Sequence, residues 1–298
     1  MPVTFYQAKH IVDRVFDEYL YPTSEQPTRL ILTAAVISVD EQLQYDDSLI
    51  TPEELELLAP GTIIEVDSEQ MLVRSVNEAS NLLDVIRGMN GTGKKSHTIN
   101  SIINVSPTWT RQTVFNAVGD AIVELWPRLR YVRMDENVPI TATIAEVDSA
   151  AEGVQAVYDS KHSYLATDYL FLKHLPSAST GKGIALGGTE GPVDIRYITR
   201  PLRPASETDL LDSINVDESW IGVIVLGTML NLLAQPDIER MMTDFLVDRM
   251  KAESVRVGAG QSIREGLVQL YEYRMSKLIN MRDREEEPVT SVQQWHAF

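Results

Sequence analysis

The chain has 298 residues, no cysteine, and 43 Asp and Glu against 26 Lys and Arg, for a formal net charge of −17. That balance argues against a broad nucleic-acid-gripping face, which needs clustered Lys and Arg, and the missing cysteines exclude disulfides, thiolate zinc sites and cysteine nucleophiles. A hydrophobic content of 44% is enough for a core, against wholesale disorder.

The first residues, MPVTFYQAKH, lack a basic start followed by an apolar core and do not read as a secretory signal. Phe5, Ala8, Val12, Val15, Phe16 and Tyr19 recur at helical spacing, which predicts an amphipathic helix over 4–20 that ends at Tyr21-Pro22-Thr23-Ser24. Leu30 to Val39 reads as strand. Three short strands follow, at 62–66, 70–76 and 81–86, with turn-like connectors at 67–69 and 77–80, a β-meander.

The next stretch, Gly88-Met-Asn-Gly-Thr-Gly-Lys-Lys95, carries the G-x-x-x-x-G-K spacing of a phosphate-binding loop. Lys95 stands where that loop needs Ser or Thr to hold Mg²⁺. A phosphate loop also leads into a helix, whose N-terminal amides hold the anion. The residues after Ser96, His-Thr-Ile-Asn-Ser-Ile-Ile-Asn-Val, read instead as strand. The stretch is therefore expected to be an exposed hairpin tip between strands, without nucleotide hydrolysis.

Ser106-Pro107 opens a helix with Val114, Phe115, Val118, Ile122, Leu125 and Trp126 on one stripe, stopped by Pro127. Segments at 131–133, 140–147, 153–160, 169–175 and 193–199 suggest a β-sandwich of about six strands. The last third reads as helical. Trp220 to Ala234 is apolar but short for a bilayer and carries Asn231, so it is expected to be a buried helix with Leu226 and Leu230 in its core. Pro236 starts a helix over 237–251, and a long helix spans 262–283.

Catalytic signatures are scarce. The histidines at 10, 97, 162, 174 and 296 show no metal-binding spacing, and no G-x-S-x-G elbow occurs. Lys94-Lys95 is the chain's only adjacent basic pair, a candidate contact for DNA or an acidic partner. Trp295 and Phe298 in the tail are candidate docking residues, and the tail from Pro288 to Phe298 is expected to act in assembly. No catalytic residue, metal ligand or cofactor site is assigned.

The middle of the chain resembles a module of tailed-bacteriophage virion proteins, outlined as G-T-x-x-x-V-D-x-E, then x-x-V, then L-x-V-x-R-G-x-x-G-T-x-x-x-S/A-H. Here it runs from Gly61-Thr-Ile-Ile-Glu65 through Met71 to Val76, Leu83-Asp-Val-Ile-Arg-Gly88 and Asn90-Gly-Thr92 to Ser96-His97. With the flanking helices, the whole resembles phage head-to-tail connector (neck or adaptor) proteins, over roughly residues 60 to 285 in pieces. The resemblance implies a non-enzymatic structural protein of the virion neck, present in the host cytoplasm during assembly. It implies a homo-oligomeric ring of twelve copies that binds the portal protein and the tail or neck proteins, with DNA passing through its lumen unbound and no membrane involved. A phage tail or baseplate protein is the alternative within that world, and a carbohydrate- or nucleotide-acting enzyme the alternative outside it.

The implied fold class is α+β: a helical bundle from N- and C-terminal helices with an inserted β-meander and β-sandwich. The division read from the sequence is an N-terminal bundle helix over 1–29, a β-meander insertion over 30–105, a bundle helix over 106–127, a β-sandwich-like domain over 128–204, a C-terminal helical bundle over 205–287 and an extended docking tail over 288–298. In this loop Thr92 and His97 are expected to hydrogen-bond the backbone.

Overall fold

A computed structural model describes residues 6–20, 28–46, 56–107, 109–141, 143–159, 169–173, 180–186, 191–234 and 259–285. The chain divides into two units, residues 9–118 and residues 1–8 with 119–298.

The first unit is built on a closed barrel of six antiparallel strands. They are β1 (Arg29–Leu32), β2 (Gln42–Asp46), β3 (Ile63–Val66), β4 (Glu69–Asn77), β5 (Leu82–Ile86) and β6 (Ile102–Val105), in the order β1-β2-β5-β4-β3-β6. Each strand turns two residues inward with the period of two that a pleated strand imposes. These are Leu30 and Leu32, Leu43 and Tyr45, Ile64 and Val66, Met71 and Val73, Leu83 and Val85, and Ile103 and Val105. Side chains thus fill the interior, as closure of so few strands requires. Closure also leaves no edge strand.

Before the barrel, α1 (Ala8–Val15) buries Ala8, Ile11, Val12 and Val15, and a π turn follows over Phe16–Leu20. After it comes α2 (Arg111–Glu124), which belongs to this unit up to Val118 and to the second unit from Gly119. Thr110 caps this helix by accepting from the Thr113 amide at 3.2 Å. The buried carboxylate of Glu65 on β3 accepts from the Arg111 amide at 2.8 Å, an anion placed at a helix N-terminus.

The second unit carries two sheets over one apolar core. The strands are β7 (Tyr131–Val138), β8 (Ile140–Thr141), β9 (Ile144–Glu146), β10 (Ala151–Asp159), β11 (Tyr169–Leu172), β12 (Gly183–Leu186) and β13 (Val193–Thr199). One sheet runs β10-β13-β7 and the other β11-β12-β9-β8. Both feed the same cluster, with Val157, Val193, Ile195 and Tyr197 from the first sheet and Ala145, Ile184 and Leu186 from the second.

Two helices belong to this unit, α3 (Ile221–Leu233) and α4 (Ala259–Glu285). A Cβ on Gly227 would sit 3.3 Å from the Ala121 Cβ and 3.4 Å from the Tyr271 ring, so glycine lets α3 run close to its neighbours. Arg128 forks onto Glu272 at 2.9 and 2.6 Å, and Arg274 reaches the Gly222 carbonyl.

The expected helical bundle with β insertions is therefore corrected. Among the described residues the architecture is a closed barrel and two antiparallel sheets, and the terminal helices do not form one bundle. The physical reason lies in where the apolar stripes go. From residue 9 onward, α1 belongs to the barrel unit. α4 buries only Met275 fully among its described side chains and leaves Val268, Leu270, Tyr273 and Met281 exposed, which is not the surround of a bundle core. Leu226 is fully buried as expected, but Leu230 is only half-buried.

The stretch from Gly88 to His97 is not a hairpin tip either. It joins β5, which pairs with β2 and β4, to β6, which pairs with β1 and β3. The expected helix over 237–251 and the tail over 288–298 lie outside the described residues.

Candidate functional site: a buried carboxylate in a glycine-rich loop

β5 ends at Ile86, and the next side chain, Arg87, turns inward and is buried. Gly88 then adopts a left-handed conformation with φ of 70°. A Cβ there would also meet the Thr92 carbonyl at 3.0 Å, so glycine is required on both counts. A single 3₁₀ turn, Met89–Gly91, follows. Thr92 closes the turn. Its hydroxyl donates to the Met89 carbonyl at 2.8 Å and accepts from the Gln70 amide at 3.0 Å. Asn90 Nδ2 adds a bond to Gln70 Oε1 at 2.6 Å, which ties the turn to the start of β4.

The loop folds around Glu69, whose side chain is wholly buried. Five donors converge on its carboxylate. Oε1 accepts from Arg87 Nε at 2.8 Å and the Gly88 amide at 3.1 Å. Oε2 accepts from Arg87 Nη2 at 2.7 Å, the Lys95 amide at 2.8 Å and His97 Nε2 at 3.0 Å. Arg87 is equally occupied. Beyond the fork onto Glu69, its Nη1 donates to the Ile37 and Asp40 carbonyls at 2.9 and 3.0 Å, and its Nη2 donates to the Lys95 carbonyl. All five guanidinium N–H groups are thereby used. His97 is buried and lies between two carboxylates, with Nδ1 on Asp67 Oδ2 at 2.7 Å and Nε2 on Glu69. Both ring nitrogens must donate, so the imidazole is held as a cation. Its backbone forms an antiparallel bridge with Val36.

The electrostatics follow from these contacts. Burial pushes the Glu69 carboxyl up, but the bonds from Arg87, Lys95 and His97 outweigh it and hold the group down at about 2. Burial pushes His97 down, and the bonds to Asp67 and Glu69 turn that into a net rise. The bond from His97 lowers Asp67. Two cations and two anions balance, with Glu69, Arg87 and His97 buried and Asp67 exposed at the edge, and such pairing is what lets the buried charges survive.

This arrangement explains the resemblance to a phosphate loop. Main-chain amides on either side of the glycines do hold an anion, but the anion is a carboxylate supplied by the chain itself. No helix follows the loop; the chain runs from the 3₁₀ turn to β6. The expected bond from the His97 side chain to the loop backbone is corrected, since the ring serves Asp67 and Glu69 instead.

Of the residues singled out in the sequence, Lys94 and Lys95 are exposed on this loop. Lys95 Nζ donates to Ser68 Oγ at 2.7 Å. Trp295 and Phe298 lie outside the described residues. The sequence reading assigned no role to Glu69 or Arg87. The available signal was the outline V-D-x-E … R-G … H itself, which contains Asp67, Glu69, Arg87 and His97. Among the described residues no group of three or more His, Asp or Glu is arranged to hold a metal ion, and no helix is long and apolar enough to cross a membrane. No protein-family model matches the chain, and no curated protein matches it.

Proposed function

We propose that the chain is a structural protein of a tailed-phage virion, a head-to-tail adaptor that works as a ring between portal and tail. The observation that carries this reading is the fate of the motif residues. Asp67, Glu69, Arg87, Gly88, Thr92 and His97 carry the resemblance, and all of them are engaged with one another or with main-chain groups of Ile37, Asp40, Gln70, Met89 and Lys95. Such a set fixes a shape and leaves no group poised for chemistry, which suits a building block. The chain's charge of −17 suits a conduit from which DNA slides without sticking.

A second reading, a tail or baseplate protein, is favoured by the mostly-β architecture, because it departs from the helical bundle that the adaptor resemblance implies. Electron microscopy of the purified protein separates them. Rings of twelve support the adaptor, and trimers or hexamers support the baseplate. A monomer that stays monomeric at high concentration overturns both.

A further inference from the structure

The barrel unit contains a second feature that the loop does not use. A cleft of about 530 Å³ is lined by the π turn after α1, the β1–β6–β3 face of the barrel and the approach to α2. That volume lies within the usual range of ligand sites. Its floor is a polar row set by strand register, in which Arg29 on β1 is the cross-strand partner of Asn104 on β6, and Asn104 of Glu65 on β3.

Some polar groups here are already matched. Glu65 accepts from the Arg111 amide at 2.8 Å, Arg111 Nη2 donates to Asp13 at 2.7 Å, and Asp67 holds His97. Others are not. Arg29 Nε and Asn104 Oδ1 are buried without a hydrogen-bond partner among the described residues. Asp17, at the rim, is exposed and no described group pairs with it. Buried polar atoms left unmatched are costly, and folded proteins rarely keep them.

From these three groups we infer that the cleft receives an extended, basic segment of a partner protein. Arg29 needs an acceptor and Asn104 a donor, and the two residues stand side by side. One peptide group supplies both, a carbonyl for the guanidinium and an N–H for the amide oxygen. Asp13 is already paired with Arg111 and Asp67 with His97, so among the described residues Asp17 is the lining carboxylate with no partner. A Lys or Arg side chain flanking the bound peptide group matches that charge. Phe16 and Trp109 give the same cleft an apolar wall for the stem of that side chain. The inference does not rest on the virion reading and can fail or stand without it.

The test is a nuclear magnetic resonance titration of the full chain with two blocked tripeptides, acetyl-Ala-Lys-Ala-amide and acetyl-Ala-Glu-Ala-amide. The lysine peptide should shift the Arg29 Nε–H signal and the Asn100 and Ser101 amides in a saturable way, and the glutamate peptide should bind more weakly. Arg29→Met should weaken the lysine peptide by about tenfold, the cost of losing a bond to a charged donor. Asp17→Asn, a change on an exposed turn that should leave the fold intact, should reduce the preference for lysine by roughly threefold, the scale of an exposed ion pair. If the signals do not move, a bridging water suffices for Arg29 and Asn104 and the inference fails. It fails also if Asp17→Asn leaves the preference unchanged, or if Arg29→Met, shown folded by circular dichroism, binds as the parent does.

Discussion

The glycine-rich loop and the helix α3 are both ordered, for opposite reasons. α3 has ten buried residues, nearly all apolar, over Ile221–Leu233. Its order comes from non-directional burial, and a single lost methyl group is felt in proportion to volume. The loop from Gly88 to His97 buries almost no apolar surface. Its shape comes from directional bonds onto one carboxylate, so it tolerates no unmatched partner. The first kind of order degrades gradually and ignores pH. The second fails all at once and depends on protonation.

The sharpest way to break that contrast is at the centre of the loop. Arg87→Met leaves Glu69 as a buried anion, and removing one partner of such a pair costs about 3–5 kcal/mol. Replacing both, with Glu69→Leu and Arg87→Met together, should cost clearly less than the sum of the two single changes. Hydrogen exchange at the barrel amides of Ile64 and Val85 reads this directly. Additive costs would show that the pair does not act as a unit. On the other side, Leu226→Ala should cost about 2–5 kcal/mol through the cavity it leaves. That loss should be the same at pH 5 and pH 8 in chemical denaturation.

The pH profile sharpens the comparison further. Glu69 is held at about 2, below its unfolded value, so its contribution is present above about pH 4.5 and is lost as pH falls toward 2. His97 is raised above its ordinary value near 6.5, so its contribution is complete below that value and is lost as pH climbs through the raised one. Barrel stability should therefore form a plateau in the mildly acidic range and fall on both sides. His97→Gln should lower the plateau and flatten the alkaline limb. An alkaline limb unchanged by that substitution would show that His97 is not the titrating group.

The two kinds of order were not equally legible in the sequence. The strands from Ile63 to Ile86 showed themselves as short runs rich in Ile, Leu and Val separated by turn-like connectors at 67–69 and 77–80. β2 was missed because Leu43 and Tyr45 are its only apolar residues, set among Gln and Asp. The bundle was misread because the apolar stripe of α1 and the length of the C-terminal helix both look like bundle material. Nothing local says that residues 9–118 keep most of α1 with the barrel. The buried network was invisible for a related reason. Asp67 precedes β4 and Glu69 opens it, Arg87 follows β5 and His97 precedes β6, and only barrel closure brings them together. The exposed lysines drew notice first because adjacent like charges can be seen without a fold.

Those lysines give the smallest expected effect and the finest probe of the contrast. Lys95 contributes to the loop through its main chain, whose N–H and C=O are both engaged with the Glu69–Arg87 pair. Among the described residues its ammonium meets only the Ser68 hydroxyl, at an exposed site. Reversing both charges, with Lys94→Glu and Lys95→Glu, leaves those main-chain bonds in place. Exposed substitutions away from structural features stay within about 0.5 kcal/mol, and thermal melting should change by no more than that. The added negative charge will nonetheless be felt by any partner that meets this loop. If the doublet touches DNA or an acidic protein during assembly, particle formation or DNA retention falls while the melting curve holds. A large loss of stability would instead mean that the ammonium groups, and not only the amides of the loop, help to hold the Glu69 carboxylate.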